Sequence, residues 1–496
     1  MHQPTTSRRR RTALGLTVVA GLVAACLIPA TAATADEQGR GGHQQPAPPY
    51  VAGELMNYAV NAERANRGQT KKVERAVEAA SGSIIASYPE IGVVIAQSDN
   101  ANFAAAVRTD GAVESAGATR TAPVPATDAT FQGEASQGLQ RMQTRSEIVR
   151  GSQLESVDEV VPDPREGEQW DMAAIGVQQA HAVTEGSDRV LVAVLDSGID
   201  GDHPDLQAAI DTGASASCLS GVPDASPESW QPTTSSHGTH VAGTIAAQRN
   251  GVGIVGVAPG VRLSAVKVVS DDGYIFAESA ICGFMHAAAT GADISNNSYY
   301  VDPWMFWCDD DADQAAVQTA VTRAVQHSER RGVLNVAAAG NSSLDLANKT
   351  VDDSSPNDST PVERPIDAGC LDLPTEIEGV VTVSSTQADG AKSGFSNYGL
   401  GVIDVAAPGS AILSTIDGGG YGTSSGTSMA SPHVAGVAAL LASTHRHAGP
   451  AELARLLERQ AVDVPCPADG ACTGDERDNA YFGEGLVSAS AAVARR

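Results

Sequence analysis

Between residues 55 and 120 the apolar positions switch repeatedly between a period of two and a period near 3.6. Leu55 to Val60 reads as a strand, and Lys71 to Ala80 as a helix with Val73, Ala76, Val77 and Ala80 on one face. Ser83 to Tyr88 and Ile91 to Gln97 read as two more strands. A helix opened by Asp99 or Asn100 carries Phe103 and Val107 one turn apart, and a last strand follows near Ala112. The predicted order is βαββαβ, a small α+β unit. From Thr121 to about Glu168 the periodicity dissolves into Pro, Gln, Ser, Thr and Glu, which predicts an exposed linker open to proteolysis. From near Trp170 short apolar strands alternate with Ala-rich helical stretches, the pattern of an α/β domain whose mainly parallel sheet is flanked by helices.

The first residues predict export rather than fold. Arg8 to Arg11 form a positive region, Ala13 to Pro29 an apolar run, and Ala33-Thr34-Ala35 a cleavage site that leaves Asp36 as the new N-terminus. Two alternatives stay open: Val23-Ala24-Ala25-Cys26 resembles a lipoprotein box that would anchor the protein through Cys26, and Arg10-Arg11 resembles a twin-arginine signal. Gln38 to Pro49 reads as a flexible lead-in, and no second apolar stretch is long enough to span a bilayer. The expected organisation is a signal peptide at 1–35, the small unit at 36–120, the linker at 121–168 and the large domain at 169–496.

Charge and cysteines agree with an extracellular protein. The net charge of −27 speaks against nucleic-acid partners. Of seven Cys, Cys26 lies in the removable segment, leaving Cys218, Cys282, Cys308, Cys370, Cys466 and Cys472, an even set suited to three disulfides. Cys466 and Cys472 sit close together in a Pro/Gly-containing loop and are expected to pair. No C-x-x-C pair signals a metal site.

Three junctions in the large domain carry candidate chemistry, each where a strand hands over to a loop or helix. The apolar run Val190 to Leu195 ends in Asp196-Ser197-Gly198; alone, such an Asp would more often cap a loop. His237 opens a helix of small residues, Gly238 to Ala247, where a lone His would usually be structural. Ser428 starts the Ala/Gly-rich helix that follows Gly426-Thr427, a helix N-terminus whose free N–H groups favour developing negative charge. Together they make a stronger case. A serine hydroxyl attacks a carbonyl poorly unless an imidazole takes its proton, and that imidazole needs a carboxylate to hold its tautomer.

The order Asp, His, Ser and the segments Asp196-Ser197-Gly198, His237 to Thr244 and Gly426 to Gly436 resemble the subtilisin-like serine proteases over roughly two thirds of the chain. The resemblance implies a serine endopeptidase acting on protein or peptide substrates without a catalytic cofactor, with Asp196, His237 and Ser428 as its triad. It implies an oxyanion donor at Asn341, after the strand Val333 to Ala339, and a substrate groove at Ser298, Tyr299, Tyr300, Ala338, Ala339 and Gly340. The βαββαβ unit resembles the family's inhibitory propeptide; an independent accessory domain is the alternative. The resemblance also sets Cys308 and Cys370 near the groove wall, leaving Cys218 with Cys282. A structural calcium would be held by Asp205, the Asn250 side chain and the carbonyls of Gln248, Val252 and Ile254, with Glu166 replacing a usual N-terminal amide and Arg249 as an objection.

The chain departs from the family where Tyr300 replaces a groove glycine and where two insertions follow, Val301 to Cys308 with the acidic run Asp309, Asp310, Asp311 and Asp313, and Ser342 to about Ala368. These carboxylates would favour basic or extended substrates; a surface loop with a tucked aromatic cluster is the plainer expectation. A monomer is expected. A peptide-binding pseudoprotease and an adhesion module are the competing functions, disfavoured by four intact catalytic positions and by the lack of repeats.

Overall fold

The computed structural model describes residues 53–125, 162–468 and 470–494. The signal peptide, the lead-in, Cys26 and most of the linker lie outside the described residues. The small unit runs β1 (Met56–Ala62), α1 (Arg67–Ala79), β2 (Ser83–Tyr88), β3 (Val93–Ser98), α2 (Phe103–Val107) and β4 (Val113–Ala118), the βαββαβ order of the periodicity. Its antiparallel sheet has the order β2-β3-β1-β4. Val60, Val73, Val77, Val94 and Phe103 form its core. α1 starts earlier than the apolar period suggests because the Asn66 side chain accepts the Gln69 N–H at 3.0 Å, a polar cap that periodicity does not register.

The large domain continues with α3 (Trp170–Ala174), α4 (Val177–His181), β5 (Leu191–Asp196), β6 (Ala216–Ser217), α5 (His237–Ala246), β7 (Arg262–Lys267), α6 (Ala277–Thr290) and β8 (Ile294–Asn297). Then come β9 (Trp307–Cys308), α7 (Ala312–Arg330), β10 (Leu334–Ala338), β11 (Val351–Asp352), β12 (Arg364–Pro365) and β13 (Cys370–Leu371). It closes with β14 (Val381–Thr386), β15 (Val405–Pro408), β16 (Ile412–Ile416), β17 (Gly420–Ser424), α8 (Thr427–Thr444), α9 (Pro450–Gln460) and α10 (Ala489–Ala492). Seven strands pair in parallel in the order β15-β14-β10-β8-β5-β7-β6. Because both faces are covered, the central strand β5 is apolar up to its last residue: Val192 and Val194 pack against the α5 and α8 side, Leu191, Ala193 and Leu195 against α6 and α7.

Disulfides join Cys218–Cys282, Cys308–Cys370 and Cys466–Cys472. The second ties β9 to β13, which pair antiparallel through those cysteines. It helps fuse the two insertions into one lobe with its own core of Tyr300, Met305, Phe306, Leu346 and Ile366. At the described ends of the linker, Thr121 and Ala122 are held by the Asp358 carboxylate, and the Arg165 N–H donates to Gly253 O at 2.8 Å.

The small unit docks on α6 and α7. Asn61 Nδ2 donates to Ala316 O at 2.8 Å, Arg323 pairs with Glu114 at 2.5 Å, and Arg108 pairs with Asp313. A Cβ on Gly117 would fall 2.1 Å from the Asp313 carbonyl oxygen, so only glycine lets β4 lie this close to α7. Part of the acidic run therefore has structural work: Asp313 meets the small unit, and Asp311 caps α7 by accepting the Asp313 and Gln314 N–H groups.

The inserted lobe depends on one buried cation. Arg364, with its side chain 1% exposed, donates to Asp352 at 2.7 and 3.0 Å and to Gln314 at 2.9 Å, and lies 4.4 Å over the Trp304 ring. Arg364→Met should lower unfolding stability by about 3–5 kcal/mol by stranding the Asp352 carboxylate, and adding Asp352→Asn should restore part of it. Urea midpoints of the single and double variants check this; an unchanged midpoint for the single variant would show that the pair contributes nothing.

Candidate active site

Asp196 is the last residue of β5, 1% exposed, and its Oδ1 accepts the Ser197 N–H at 2.7 Å. A buried carboxylate needs such partners, and the strongest is an imidazole. His237 heads α5 and presents Nδ1 to Asp196 Oδ1 at 2.8 Å and Oδ2 at 3.0 Å. With acceptors on that side, Nδ1 carries the proton and Nε2 is left as the base; Nε2 is buried and has no hydrogen-bond partner among the described residues. The approach requires the small residue after the histidine. A Cβ on Gly238 would lie 2.2 Å from Gly198 O and 3.2 Å from Asp196 Oδ1. One turn on, burial and the neighbouring His237 push the His240 pKa down to about 3, so it stays neutral and donates Nε2–H to Ile412 O at 3.0 Å, fixing α5 to the β16–β17 hairpin.

α5 packs beside α8, whose first turn holds Ser428. Pro432 lies four residues further on and has no N–H, so the Ser428 carbonyl loses its usual helical donor. Ser298, just past β8, supplies the replacement: its Oγ donates to Ser428 O at 3.0 Å, while Ser428 Oγ donates to Ser298 O at 3.3 Å. Further along, His433 contacts Met429 O at 2.8 Å through Nδ1 and the buried Asp171 at 2.9 Å through Nε2, tying α8 to α3. Ser431 Oγ donates to Asn296 Oδ1 at 2.7 Å, so two residues of the Asn296-Asn297-Ser298 segment grip the same helix.

Asn341 follows β10 through Gly340, whose φ of +96° needs glycine. Its Oδ1 accepts the Thr427 N–H at 2.8 Å and the Thr427 hydroxyl at 3.0 Å, which orients Nδ2 the other way. A Cβ placed on Gly426 would lie 3.5 Å from Asn341 Nδ2 and 3.6 Å from the Ser428 backbone N, so two N–H donors border the same space. Asn397 braces this loop by donating to Ala339 O at 2.9 Å and accepting the Ser342 and Leu344 N–H groups. The sequence offered no signal for Asn397 beyond a turn, and Thr427 was legible only as part of the helix start.

The expected groove residues divide. Ser298 and Gly340 contact the Ser428 and Thr427 region, and Tyr300 Oη accepts the Asn357 amide at 3.1 Å on the side of the inserted lobe. Tyr299 instead points into the core and donates to Asn297 Oδ1 at 3.1 Å. The carbonyls of Ala338 and Ala339 are taken by Thr375 and Asn397.

Among the described residues no three His, Cys, Asp or Glu side chains gather at metal-binding spacing. The calcium loop supplies another donor set. Asp205 is fully buried; Oδ2 accepts the Ile254 N–H at 3.1 Å and the Tyr421 hydroxyl at 2.9 Å, while Oδ1 has no partner among the described residues. Burial, and to a lesser degree the Asp163 charge, raise the Asp205 pKa to about 6. Asn250 Oδ1 accepts the Val252 N–H at 3.1 Å. Glu166 does not join them: it pairs with Arg249 at 2.6 Å, and Glu185 takes the other side of that guanidinium at 2.8 Å. The carboxylate that reaches the loop is Asp163, which accepts the Gly251 N–H at 2.8 Å. An orphaned buried oxygen beside a second carboxylate fits a hard dication, with Asp163 in the role expected of Glu166.

Comparison with known proteins agrees with this geometry. A family model described as the subtilase family matches residues 187–485. Subtilisin NAT from Bacillus subtilis subsp. natto is 33% identical over 324 residues, covering 65% of this chain and 71% of that protein. Fervidolysin from Fervidobacterium pennivorans is 31% identical over 353 residues, and this chain spans 44% of its length. The crystal structure of fervidolysin, described as a keratinolytic enzyme related to subtilisin, aligns at a TM-score of 0.61 with 25% identity, over 88% of this chain and 61% of that one. An epidermin leader peptide processing serine protease from Staphylococcus aureus shares the fold at a TM-score of 0.64 and 20% identity, over 89% of this chain and 99% of that one. On the family match and the subtilisin identity, the chain belongs to the subtilase family.

Proposed function

We propose that this chain is a secreted serine endopeptidase, made as a precursor, that cuts peptide bonds through Asp196, His237 and Ser428. The observation that carries this reading is the His237 ring, with Nδ1 bonded to both Asp196 oxygens and Nε2 unpartnered beside the helix that Ser428 opens. In acylation the Ser428 Oγ lone pair forms a bond to the scissile carbonyl carbon while its proton passes to His237 Nε2. The carbonyl oxygen takes the charge and is met by Asn341 Nδ2 and the Ser428 N–H. Collapse breaks the C–N bond, and His237 returns the proton to the leaving amine. Water then repeats the cycle on the acyl-enzyme. A Ser428–His237 hydrogen bond forms as the substrate closes the site, since such bonds often tighten only in the complex.

The small unit is read as an inhibitory propeptide, because it packs on α6 and α7 and passes directly into the segment held by Asp358. The predicted signal peptide and the three disulfides support export; among the described residues no helix is long and apolar enough to cross a membrane. Calcium held by Asp205, Asp163, Asn250 and loop carbonyls would supply stability, not chemistry.

Asn341→Leu should leave KM nearly unchanged and lower kcat by roughly 100- to 1,000-fold, the size known for such a donor in a subtilisin. An unchanged kcat would remove Asn341 from the oxyanion site. Ser428→Ala should accumulate as a precursor beginning at Asp36, whereas the wild type should begin within the linker at 121–168, because intramolecular cleavage has a high effective concentration. N-terminal sequencing of both proteins decides; identical trimming would assign maturation to another enzyme. For the calcium loop, a carboxyl whose pKa is raised in the fold contributes stability below its unfolded pKa and loses it as pH rises through about 6. A chelator should therefore lower Tm more at about pH 8 than at about pH 5, and Asp163→Asn should reduce that difference. Equal Tm values with and without chelator at both pH values would argue against a bound calcium.

A further inference from the structure

Two residues past β4, the chain leaving the small unit is gripped by side chains of the large domain. The Arg120 guanidinium lies 3.8 Å over the Phe276 ring and pairs with Glu278, a carboxylate in the first turn of α6 that is 1% exposed. The next two residues give their backbone N–H groups to Asp358 Oδ2, Thr121 at 2.8 Å and Ala122 at 2.9 Å. The Thr121 hydroxyl reaches Asp358 Oδ1 and Ser359 Oγ. One side chain and two consecutive main-chain N–H groups are thus read together, the chain bending at Thr121 and Ala122 so that both N–H groups meet one carboxylate oxygen.

This grip adjoins the candidate active site. Ser428 contacts Ser298; two residues on, Tyr300 bonds Asn357, the neighbour of Asp358. Phe276 bridges to Asp302, next in line after Tyr300 and Val301. One wall therefore runs from the nucleophile to the Arg120 contact.

The side-chain partners that hold Glu278 come from the small unit: Arg120, and Asn57, whose Nδ2 donates to Oε1 at 2.7 Å. Oε2 is buried and has no partner among the described residues. Burial works to raise the Glu278 carboxyl, and Arg120 with Asn57 outweighs it and holds the group below the ordinary value. Once a propeptide leaves, this carboxylate loses both partners, and Asp358 loses two N–H donors. A buried carboxylate in that position favours a ligand that returns a cation.

Resting on the proposed peptidase reading, we infer that Glu278 with Phe276, and Asp358 with Ser359, form an outer substrate subsite that selects an arginine upstream of the scissile bond followed by a bend that turns two consecutive main-chain N–H groups toward one carboxylate. Arg120-Thr121-Ala122 is its occupant in the precursor. Phe276 and the buried carboxylate suit a planar guanidinium better than an ammonium, so lysine should serve less well than arginine. Within the acidic run, Asp311 is taken up in capping α7.

The test uses the matured enzyme and quenched fluorescent peptides in which a single residue, Arg, Lys, citrulline or Ala, is moved one position at a time upstream of a fixed scissile bond. At one position Arg should exceed Ala in kcat/KM by roughly 10- to 100-fold, the worth of a charge-assisted contact, mostly through KM, with Lys and citrulline between them. Glu278→Gln should collapse the Arg/Ala ratio toward one, and Asp358→Asn should weaken peptides with a free N–H after the arginine more than N-methylated ones. Each ratio is internal to one enzyme, so a general fall in activity does not affect it. If Glu278→Gln fails to mature, the wild-type scan alone still decides. Cleavage of all peptides with an Arg/Ala ratio near one at every position overturns the subsite and leaves the peptidase reading intact; no cleavage of any peptide overturns the peptidase reading.

Discussion

A carboxylate at the end of a central strand, sealed from water, is the constraint around which this molecule is arranged. Asp196 finds its hydrogen-bond partners there in the Ser197 N–H and the His237 ring. That requirement fixes the first residues of α5, excludes a side chain at Gly238 and demands a helix of small residues that can sit close to the sheet. The neighbouring strand β8 brings Asn296 and Ser298 alongside, and these hold the first turns of α8, where Ser428 lies. The Pro432 break in the helix ladder is part of this arrangement, since it frees the Ser428 carbonyl for Ser298.

The motif-bearing residues were legible because their chemistry is local in sequence and their spacing is characteristic of one family. Supporting residues were not. Asn397 acts through three backbone groups of a loop distant from it in sequence, and nothing in its own neighbours marks that role. Glu166 was expected in place of the family's usual N-terminal amide, but Arg249 captures it, and Asp163 reaches the loop instead. A competing ion pair of this kind is invisible until the two segments meet in space.

Periodicity gave the order of the small unit and the parallel α/β class correctly, because both depend on which faces are buried. It carries no information on what holds the ends of the linker or the centre of the insertions. Residues 121–125 and 162–168 are rich in Pro and show no period, yet carboxylates and backbone carbonyls hold them. The insertion from Ser342 to about Ala368 carries a fully buried Arg364 with the Trp304 ring over its face and Asp352 at its edge. Hydrophobic patterning has no means of finding an element organised around a cation.

The account stands or falls on whether Ser428 is activated by the His237–Asp196 pair, and a fluorophosphonate probe reads this directly. Displacement of fluoride by the serine oxygen leaves a stable phosphonyl group whose position mass spectrometry can locate. The matured wild-type protein should be labelled once, on Ser428, and His237→Ala should lose the labelling while remaining folded by circular dichroism. Labelling that persists in folded His237→Ala at the wild-type rate, or a matured protein that takes no label at Ser428, would contradict the account.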